Sequence, residues 1–146
     1  MAANEHSPSL LYAVKQVELA IRSRLDDLLR PSGITALQYT ALTVLRRREG
    51  LTAAALARNS FVATQSMADL VGALQRQGLI DRHRDPDDRR RMLIVLTDAG
   101  RAVLERHDEE VVALEREMTA GLASLEVAAL RTVLNRCREN LGPASR

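Results

Sequence analysis

The spacing of the apolar residues changes twice along this chain, and those changes constrain the fold more than any other feature. From residue 9 to residue 77 they recur every three or four positions, which predicts amphipathic helices. A short strand candidate at 79–84 and an apolar, β-branched segment at 92–96 follow, and the Asp-Pro-Asp-Asp sequence between them is typical of a turn. Helical spacing returns at residue 98. The pattern predicts a mainly α (α+β) protein in which one β-hairpin interrupts a series of helices.

Six helices are predicted, and most of them have a recognisable beginning or end. We expect them at about 9–30, 35–46, 53–58, 64–77, 98–120 and 125–141. Thr52, Thr97 and Ser124 each precede a helix, and their hydroxyls can accept hydrogen bonds from its free backbone N–H groups. Gly78 and Gly121 are predicted to end helices, because glycine readily adopts the left-handed conformation found there.

The two short central helices and the hairpin occur in the order of a winged helix-turn-helix. Such a unit presents a recognition helix to the major groove and a loop that can reach the adjacent minor groove. The hairpin carries five arginines and three aspartates over 82–91, whereas 105–117 carries six acidic residues and two arginines. We therefore expect a polarised molecule whose positive charge lies at the hairpin, which we call the wing.

The outer helices are longer and more apolar than this small centre can cover. Their apolar faces predict a partner, most simply a second copy related by a two-fold axis. We expect a single domain over 1–146, with the winged helix-turn-helix DNA-binding part at about 35–97. The helices at about 9–30 and 98–141 are then expected to form a dimerisation stalk.

A string of residues across the centre of the chain matches the pattern of a known family. The matching residues are Leu56-Ala57, Gln65-Ser66-Met67, Leu70-Val71, Leu74, Gln77-Gly78-Leu79-Ile80, Asp85-Pro86-Asp87-Asp88-Arg89-Arg90 and Leu96-Thr97-Asp98-Ala99-Gly100. With them the chain resembles the MarR family of transcription regulators. The most specific part is the Asp88-x-Arg90 pair placed six residues before Leu96. The resemblance implies an obligate homodimer with both chain ends in one helical stalk and two winged heads on duplex DNA.

The predicted base-reading residues lie at the N-terminal end of the fourth helix, at Thr64, Gln65 and Ser66. A glutamine can bridge adenine N6 and N7, and hydroxyls can bind bases or phosphates, although all three residues could instead cap the helix. Asp69 follows one turn after Gln65. It either accepts from cytosine N4 or holds an arginine, and we favour the arginine, with Arg58 and Arg76 as candidate partners.

The chain departs from the family pattern at a few positions. The family often has leucine and glycine where this chain has Ser60 and Phe61. It often has a hydroxyl residue at the position of Ala63, so Thr64 is the alternative cap here, and a basic residue at the position of Asp69. The base preference of the family therefore does not carry over, whereas DNA binding does.

Arginines at the tip of the hairpin are the predicted wing contacts. Arg90 is expected to enter the minor groove, because a guanidinium is narrow, planar and permanently charged. Arg89 and Arg91 are expected to contact phosphates, and His83 is either a further phosphate contact or simply exposed. Asp88 resembles the family's structural aspartate that orients the wing, so it should not touch DNA. The alternative for the three arginines is a solvated charged turn.

No catalytic or metal site is predicted, so we expect neither an enzyme nor a cofactor. The three histidines are far apart, and the single cysteine, Cys137, excludes a multi-cysteine metal site. Cys137 is predicted to be buried on the apolar face of the last helix, and His107 could face a ligand cleft that the family resemblance suggests. Since no apolar segment of 18 residues and no signal peptide is present, we expect a cytoplasmic protein without membrane contact.

The predicted function is that of a homodimeric, sequence-specific, double-stranded DNA-binding transcription regulator. We expect a repressor that binds a pseudo-palindromic operator and is relieved by a small-molecule effector. The alternative is a winged-helix protein-interaction module without specific DNA binding. The three consecutive arginines at the wing argue against that alternative, because a protein-binding wing need not concentrate positive charge.

Overall fold

The computed structural model describes residues 9–60 and 64–142, which form helices and one small antiparallel sheet. The elements in chain order are α1 (Leu10–Leu29), a short 3-10 helix (Arg30–Ser32), α2 (Ala36–Arg47), α3 (Ala53–Ser60), α4 (Thr64–Arg76), β1 (Ile80–Arg84), β2 (Met92–Leu96), α5 (Asp98–Met118) and α6 (Ser124–Leu141). The predicted mainly α (α+β) class is confirmed. The chain divides into two compact units, Met1–Ala36 and Leu37–Arg146. The predicted domain boundaries remain a prediction.

The first unit contains α1 and the turn that ends it. Ser9 caps the helix, its hydroxyl accepting a hydrogen bond from the Tyr12 N–H at 3.1 Å. At the other end, Gly33 adopts a positive φ of 69°, and the Asp26 carboxylate accepts from the Ala36 N–H at 2.7 Å. Much of the apolar surface of α1 is exposed, including Leu10, Leu11, Tyr12, Val14, Val17 and Leu19.

The second unit has its core where α3, α4 and the hairpin meet. Its helices α3 and α4 contact each other, α4 contacts β1, and both α3 and α5 contact β2. The side chains that fill this core are almost entirely aliphatic, and they are Leu42, Leu45, Leu56, Met67, Val71, Leu74, Ile80, Ile94 and Leu104. Burial of these side chains supplies the main stabilisation of the unit.

The hairpin is antiparallel, with Ile80 opposite Leu96 and Arg84 opposite Met92. A third segment joins it, which the sequence did not indicate. Leu51 exchanges two backbone hydrogen bonds with Ile94, at 2.7 and 3.3 Å. This Leu51–Ile94 bridge connects the loop before α3 directly to β2.

Helix α5 begins immediately after β2 and packs closely on the hairpin. The Thr97 hydroxyl accepts from the Gly100 N–H at 3.1 Å and donates to the Gly78 carbonyl at 2.7 Å. A Cβ at Gly100 would lie 2.3 Å from the Leu79 carbonyl oxygen and 2.6 Å from Leu96 Cδ1. Only glycine therefore fits where the first turn of α5 meets the hairpin.

Two of the three predicted caps are confirmed. Thr52 accepts from the Ala55 N–H at 3.2 Å, and Thr97 caps α5 as described. The prediction for Ser124 is wrong, because Ser124 is the first residue of α6 and Ala123 is the capping residue. The Ala123 N–H donates to Glu126 Oε1 at 2.9 Å, so a carboxylate three residues into the helix replaces the expected hydroxyl.

Helix α6 has no buried residue within this chain. Its apolar side chains are exposed, namely Leu125, Leu130, Val133, Leu134 and Leu141. Cys137 is exposed as well, so the prediction that it is buried is wrong for the single chain, since none of the described residues covers it. None of the described helices is long and apolar enough to span a membrane.

Candidate nucleic-acid interface

The turn of the wing is closed by hydrogen bonds that involve Asp88. Its Oδ1 accepts from the Arg90 N–H at 3.1 Å, and its carbonyl accepts from the Arg91 N–H at 3.0 Å. The Arg91 carbonyl in turn accepts from the Asp85 N–H at 3.0 Å, and Asp85 Oδ1 accepts from the Asp87 N–H at 2.9 Å. These short local bonds define the backbone path on which the arginines are carried.

The wing arginines differ in what their side chains contact. Arg91 Nε lies 3.6 Å from Asp88 Oδ2, which is a long ion pair with a guanidinium that is 62% exposed. Arg84 Nη1 donates a hydrogen bond to the Arg89 carbonyl at 2.8 Å, so the Arg84 side chain stabilises the backbone of the turn at Arg89. Arg89 and Arg90 are exposed, and neither forms an ion pair with any described residue. Two positive charges therefore remain available at the tip.

His83 lies on β1, opposite Leu93, and is exposed. This position places it on the strand that leads into the wing turn. No described residue forms a hydrogen bond or an ion pair with its ring.

Helix α4 has one buried row and one exposed row. The buried row packs against α3 and β1 and consists of Met67, Leu70, Val71 and Leu74. Gln65, Ser66 and Asp69 are exposed, as the helical spacing of the sequence indicated. The side chain of Thr64 and the residues 61–63 lie outside the described residues, so the predictions for Thr64 as a cap, Phe61 and Ala63 fall there.

The predicted ion pair of Asp69 with Arg58 or Arg76 is wrong. Neither arginine lies within ion-pair distance of Asp69 in the part of the chain that the structure describes. Arg76 instead lies back along its own helix, with Nη1 3.3 Å from the place where a Cβ on Gly72 would be. Because Gly72 has no side chain, the guanidinium occupies that space and does not extend to Asp69.

A polar cluster joins α2 to α5 behind the hairpin. Arg46 Nη1 donates to both carboxylate oxygens of Asp108, at 3.0 and 3.1 Å. The pKa of the nearby Tyr39 is raised, first by burial and second by the negative charge of Asp108. Sequence reasoning missed this link, because 62 residues separate the two partners and each reads as an ordinary charge on its own helix.

His107 is also on α5, and its ring is almost fully buried. Its Nδ1 lies 3.3 Å from Glu110 Oε1, one turn along the same helix. Among the described residues, no three His, Cys, Asp or Glu side chains are arranged to hold a metal ion.

Comparison with known proteins relates the whole arrangement to one family. A sequence model described as MarR family matches residues 32–91. The chain is 30% identical over 128 residues to the multiple antibiotic resistance protein MarR of Salmonella typhimurium, and the match covers 87% of each chain. It is 33% identical over 104 residues to a putative transcriptional regulatory protein for the hcr operon of Thauera aromatica, covering 71% of this chain but only 63% of that relative.

A solved structure shares the fold over nearly the entire chain. The crystal structure of wild-type MarR from E. coli in its apo form aligns with a TM-score of 0.76 and 27% identity. The alignment covers 90% of this chain and 98% of that one. The similarity therefore extends well beyond the central helices and the wing, to the long helices on either side.

Proposed function

This chain belongs to the MarR family of transcription regulators, and from that premise we propose that it acts as a homodimeric, sequence-specific repressor. In this proposal each dimer binds a pseudo-palindromic operator in duplex DNA in the cytoplasm, and a small-molecule effector releases it. The observation that carries the proposal is the pair of exposed, unpaired guanidinium groups of Arg89 and Arg90 on a turn closed by Asp88.

The wing supplies the contact to the DNA backbone and minor groove. Asp88 uses its acceptor atoms within the turn, so it fixes the Arg90 backbone and stays away from phosphates. Arg90 then enters the minor groove, where the negative potential is concentrated, and Arg89 contacts a phosphate. Arg91 leaves its long contact with Asp88 and contacts a second phosphate instead. His83 lies beside the same strand of DNA.

The first turn of α4 supplies the base readout. Gln65 and Ser66 are exposed there, together with the backbone N–H groups that a helix leaves without intrahelical partners. Those N–H groups favour a phosphate, whereas the Gln65 amide can pair with both N6 and N7 of an adenine. Thr64, at the first position of the helix, is the third proposed contact.

Homodimerisation follows from the exposed apolar surface of the outer helices. Leu125 and Leu141 on α6 are 84% and 82% exposed in the single chain, and α1 exposes a comparable row. Apolar surface of that extent on a soluble protein marks an interface. A second copy related by a two-fold axis covers it most simply, and it places two recognition helices in major grooves about 34–36 Å apart.

The experiment that tests the proposal is selection of DNA from a random duplex library, with light scattering of the same preparation. We expect enrichment of a sequence with two-fold symmetry and a particle of about 32 kDa, twice the 16.1 kDa of one chain. A folded 16 kDa particle at micromolar concentration contradicts the dimer. Binding to random duplex without any enriched sequence contradicts sequence-specific regulation, and failure to bind any duplex favours the protein-interaction module.

A further inference from the structure

Helix α4 carries a single acidic residue, Asp69, and it is exposed on the side that the proposed function turns toward DNA. Its helical neighbours are Gln65 and Ser66 toward the N-terminus and Gly72 and Ala73 toward the C-terminus. The first two are the proposed base-reading residues, and the other two are the smallest residues available. The carboxylate therefore lies beside the two proposed base-reading side chains, and the flexible end of Arg76 lies over Gly72 on its C-terminal side.

No group within the chain explains why an acid is tolerated at this position. Where acidic residues and arginines of this protein lie within reach they pair, as Glu18 does with Arg22 at 2.6 Å and Asp108 with Arg46. Asp69 forms no ion pair or hydrogen bond with any of the described residues, although arginines occur on both α3 and α4. A structural role through an arginine is thereby removed, and the carboxylate is left without a compensating donor.

An acid that faces DNA is repelled by the phosphates, so it lowers affinity unless a base donates a hydrogen bond to it. In the major groove only adenine N6 and cytosine N4 are donors. Adenine places the acceptor N7 beside its donor, and N7 repels a carboxylate that can only accept. Cytosine has a C–H group beside N4, where adenine has an acceptor. Cytosine is therefore the base that pairs better with a carboxylate.

From these observations we infer that Asp69 is a specificity-determining residue that accepts a hydrogen bond from the N4 amino group of one cytosine in each half-site. The inference rests on the proposed function, since it requires that α4 enters the major groove. In that arrangement Gly72 and Ala73 carry nothing larger than a methyl group, and the Arg76 end that lies over Gly72 is flexible, so the short Asp69 side chain can approach the base edge.

The first test compares the sequences selected by wild-type protein and by Asp69→Asn from the same random library. An asparagine amide both donates and accepts, so it pairs with adenine N6 and N7. We expect the selected base at one symmetric position to change from cytosine to adenine. The matched control is Asp81→Asn, which removes the same charge from an exposed residue on β1 that has no ion pair among the described residues. Both variants should bind random duplex more tightly, but Asp81→Asn should keep the cytosine.

The second test needs no variant, which keeps the inference decidable if Asp69→Asn fails to fold. Each cytosine of the selected half-site is replaced in turn by 2-pyrimidinone, which lacks the 4-amino group. At one position wild-type affinity should fall about tenfold per half-site, which is about 1.4 kcal/mol. The same replacement should leave the affinity of a folded Asp69→Ala protein unchanged, since alanine has no side-chain acceptor.

The outcomes separate the inference from the function on which it rests. An unchanged cytosine in the sequence selected by Asp69→Asn overturns the inference and leaves the regulator intact. So does a wild-type protein that tolerates loss of the amino group at every cytosine. If wild-type protein enriches no symmetric sequence, the proposed function itself is overturned, and the inference with it.

Discussion

Replacing Gly100 by alanine should destabilise the fold strongly, and the structure gives the magnitude. The added Cβ would lie 2.3 Å from the Leu79 carbonyl oxygen, about 1 Å closer than a carbon and an oxygen approach in proteins. Both atoms belong to the backbone or are fixed to it, so no side-chain rotation relieves the overlap. The first turn of α5 must move away from the hairpin, and that movement disturbs the hydrogen bond from the Thr97 N–H to the Leu79 carbonyl at 3.1 Å.

Two unfavourable effects add in this variant, and one favourable effect partly offsets them. Overpacking of this kind costs about 1–3 kcal/mol, and the disturbed hydrogen bonds of Thr97 cost about 1 kcal/mol each. Alanine has a better helix propensity than glycine by about 1 kcal/mol. We therefore expect Gly100→Ala to lower the free energy of unfolding by about 3 kcal/mol, which corresponds to a fall in Tm of roughly 6–12 °C.

The assay is urea unfolding followed by circular dichroism at a fixed protein concentration, because the stability of the proposed dimer would depend on concentration. Gly72→Ala is the matched control, since Gly72 is also helical but its Cβ would meet only the flexible end of Arg76 at 3.3 Å. That variant should be as stable as the wild type or slightly more so. Equal stabilities of Gly100→Ala and Gly72→Ala would refute the reasoning, because the close approach to Leu79 would then carry no energetic cost.

Three further predictions follow from the wing, the recognition helix and the polar cluster. Arg90→Ala should weaken binding to every duplex and reduce the salt dependence of binding by about one charge per subunit. Gln65→Ala should lower the binding free energy by about 1–3 kcal/mol on the selected site alone. Equal losses on selected and random DNA in both variants would contradict this division. Burial and the negative charge of Asp108 raise the Tyr39 pKa in the folded state, so above pH 10 the phenol loses its proton when the protein unfolds. The free energy of unfolding should therefore fall above pH 10 in the wild type. It should fall less in Tyr39→Phe, as urea titrations at several pH values would measure. Arg46→Met should cost less than about 1 kcal/mol in the same assay, since its pair with Asp108 is partly exposed; a loss of several kcal/mol would show that the pair acts as a buried one.

The order of elements was predictable because local chemistry determines it. Apolar spacing located the helices, and turn residues with β-branched neighbours located the hairpin. The hydroxyls of Thr52 and Thr97 cap helices because each lies directly before one. At Ser124 the same logic failed, because the helix begins one residue earlier and the Glu126 carboxylate closes its start by accepting from the Ala123 N–H.

Contacts between distant residues were beyond sequence reasoning. The Leu51–Ile94 bridge and the Arg46–Asp108 pair form only when tertiary packing brings separate elements together. The spacing of residues along the sequence therefore does not predict them. Asp69 shows the opposite failure, in which sequence spacing predicted a contact that does not form. Arg76 was expected to pair with Asp69, but its side chain lies over Gly72 instead. The proposed DNA contacts of α4 and the wing remain predictions.

The Leu51–Ile94 bridge affects the spacing between the proposed major-groove and minor-groove contacts. Its two hydrogen bonds tie the loop that starts the helix-turn-helix to the strand that carries the wing. In the proposed complex α4, which packs on α3, reads the major groove and the wing reads the minor groove, so the bridge helps to fix the distance between the two. One additional base pair between those contacts shifts them by about 3.4 Å along the duplex, and a hydrogen-bonded backbone does not stretch to follow. In the proposed dimer each subunit therefore fits a half-site of one length, and operators differ only in the distance between half-sites.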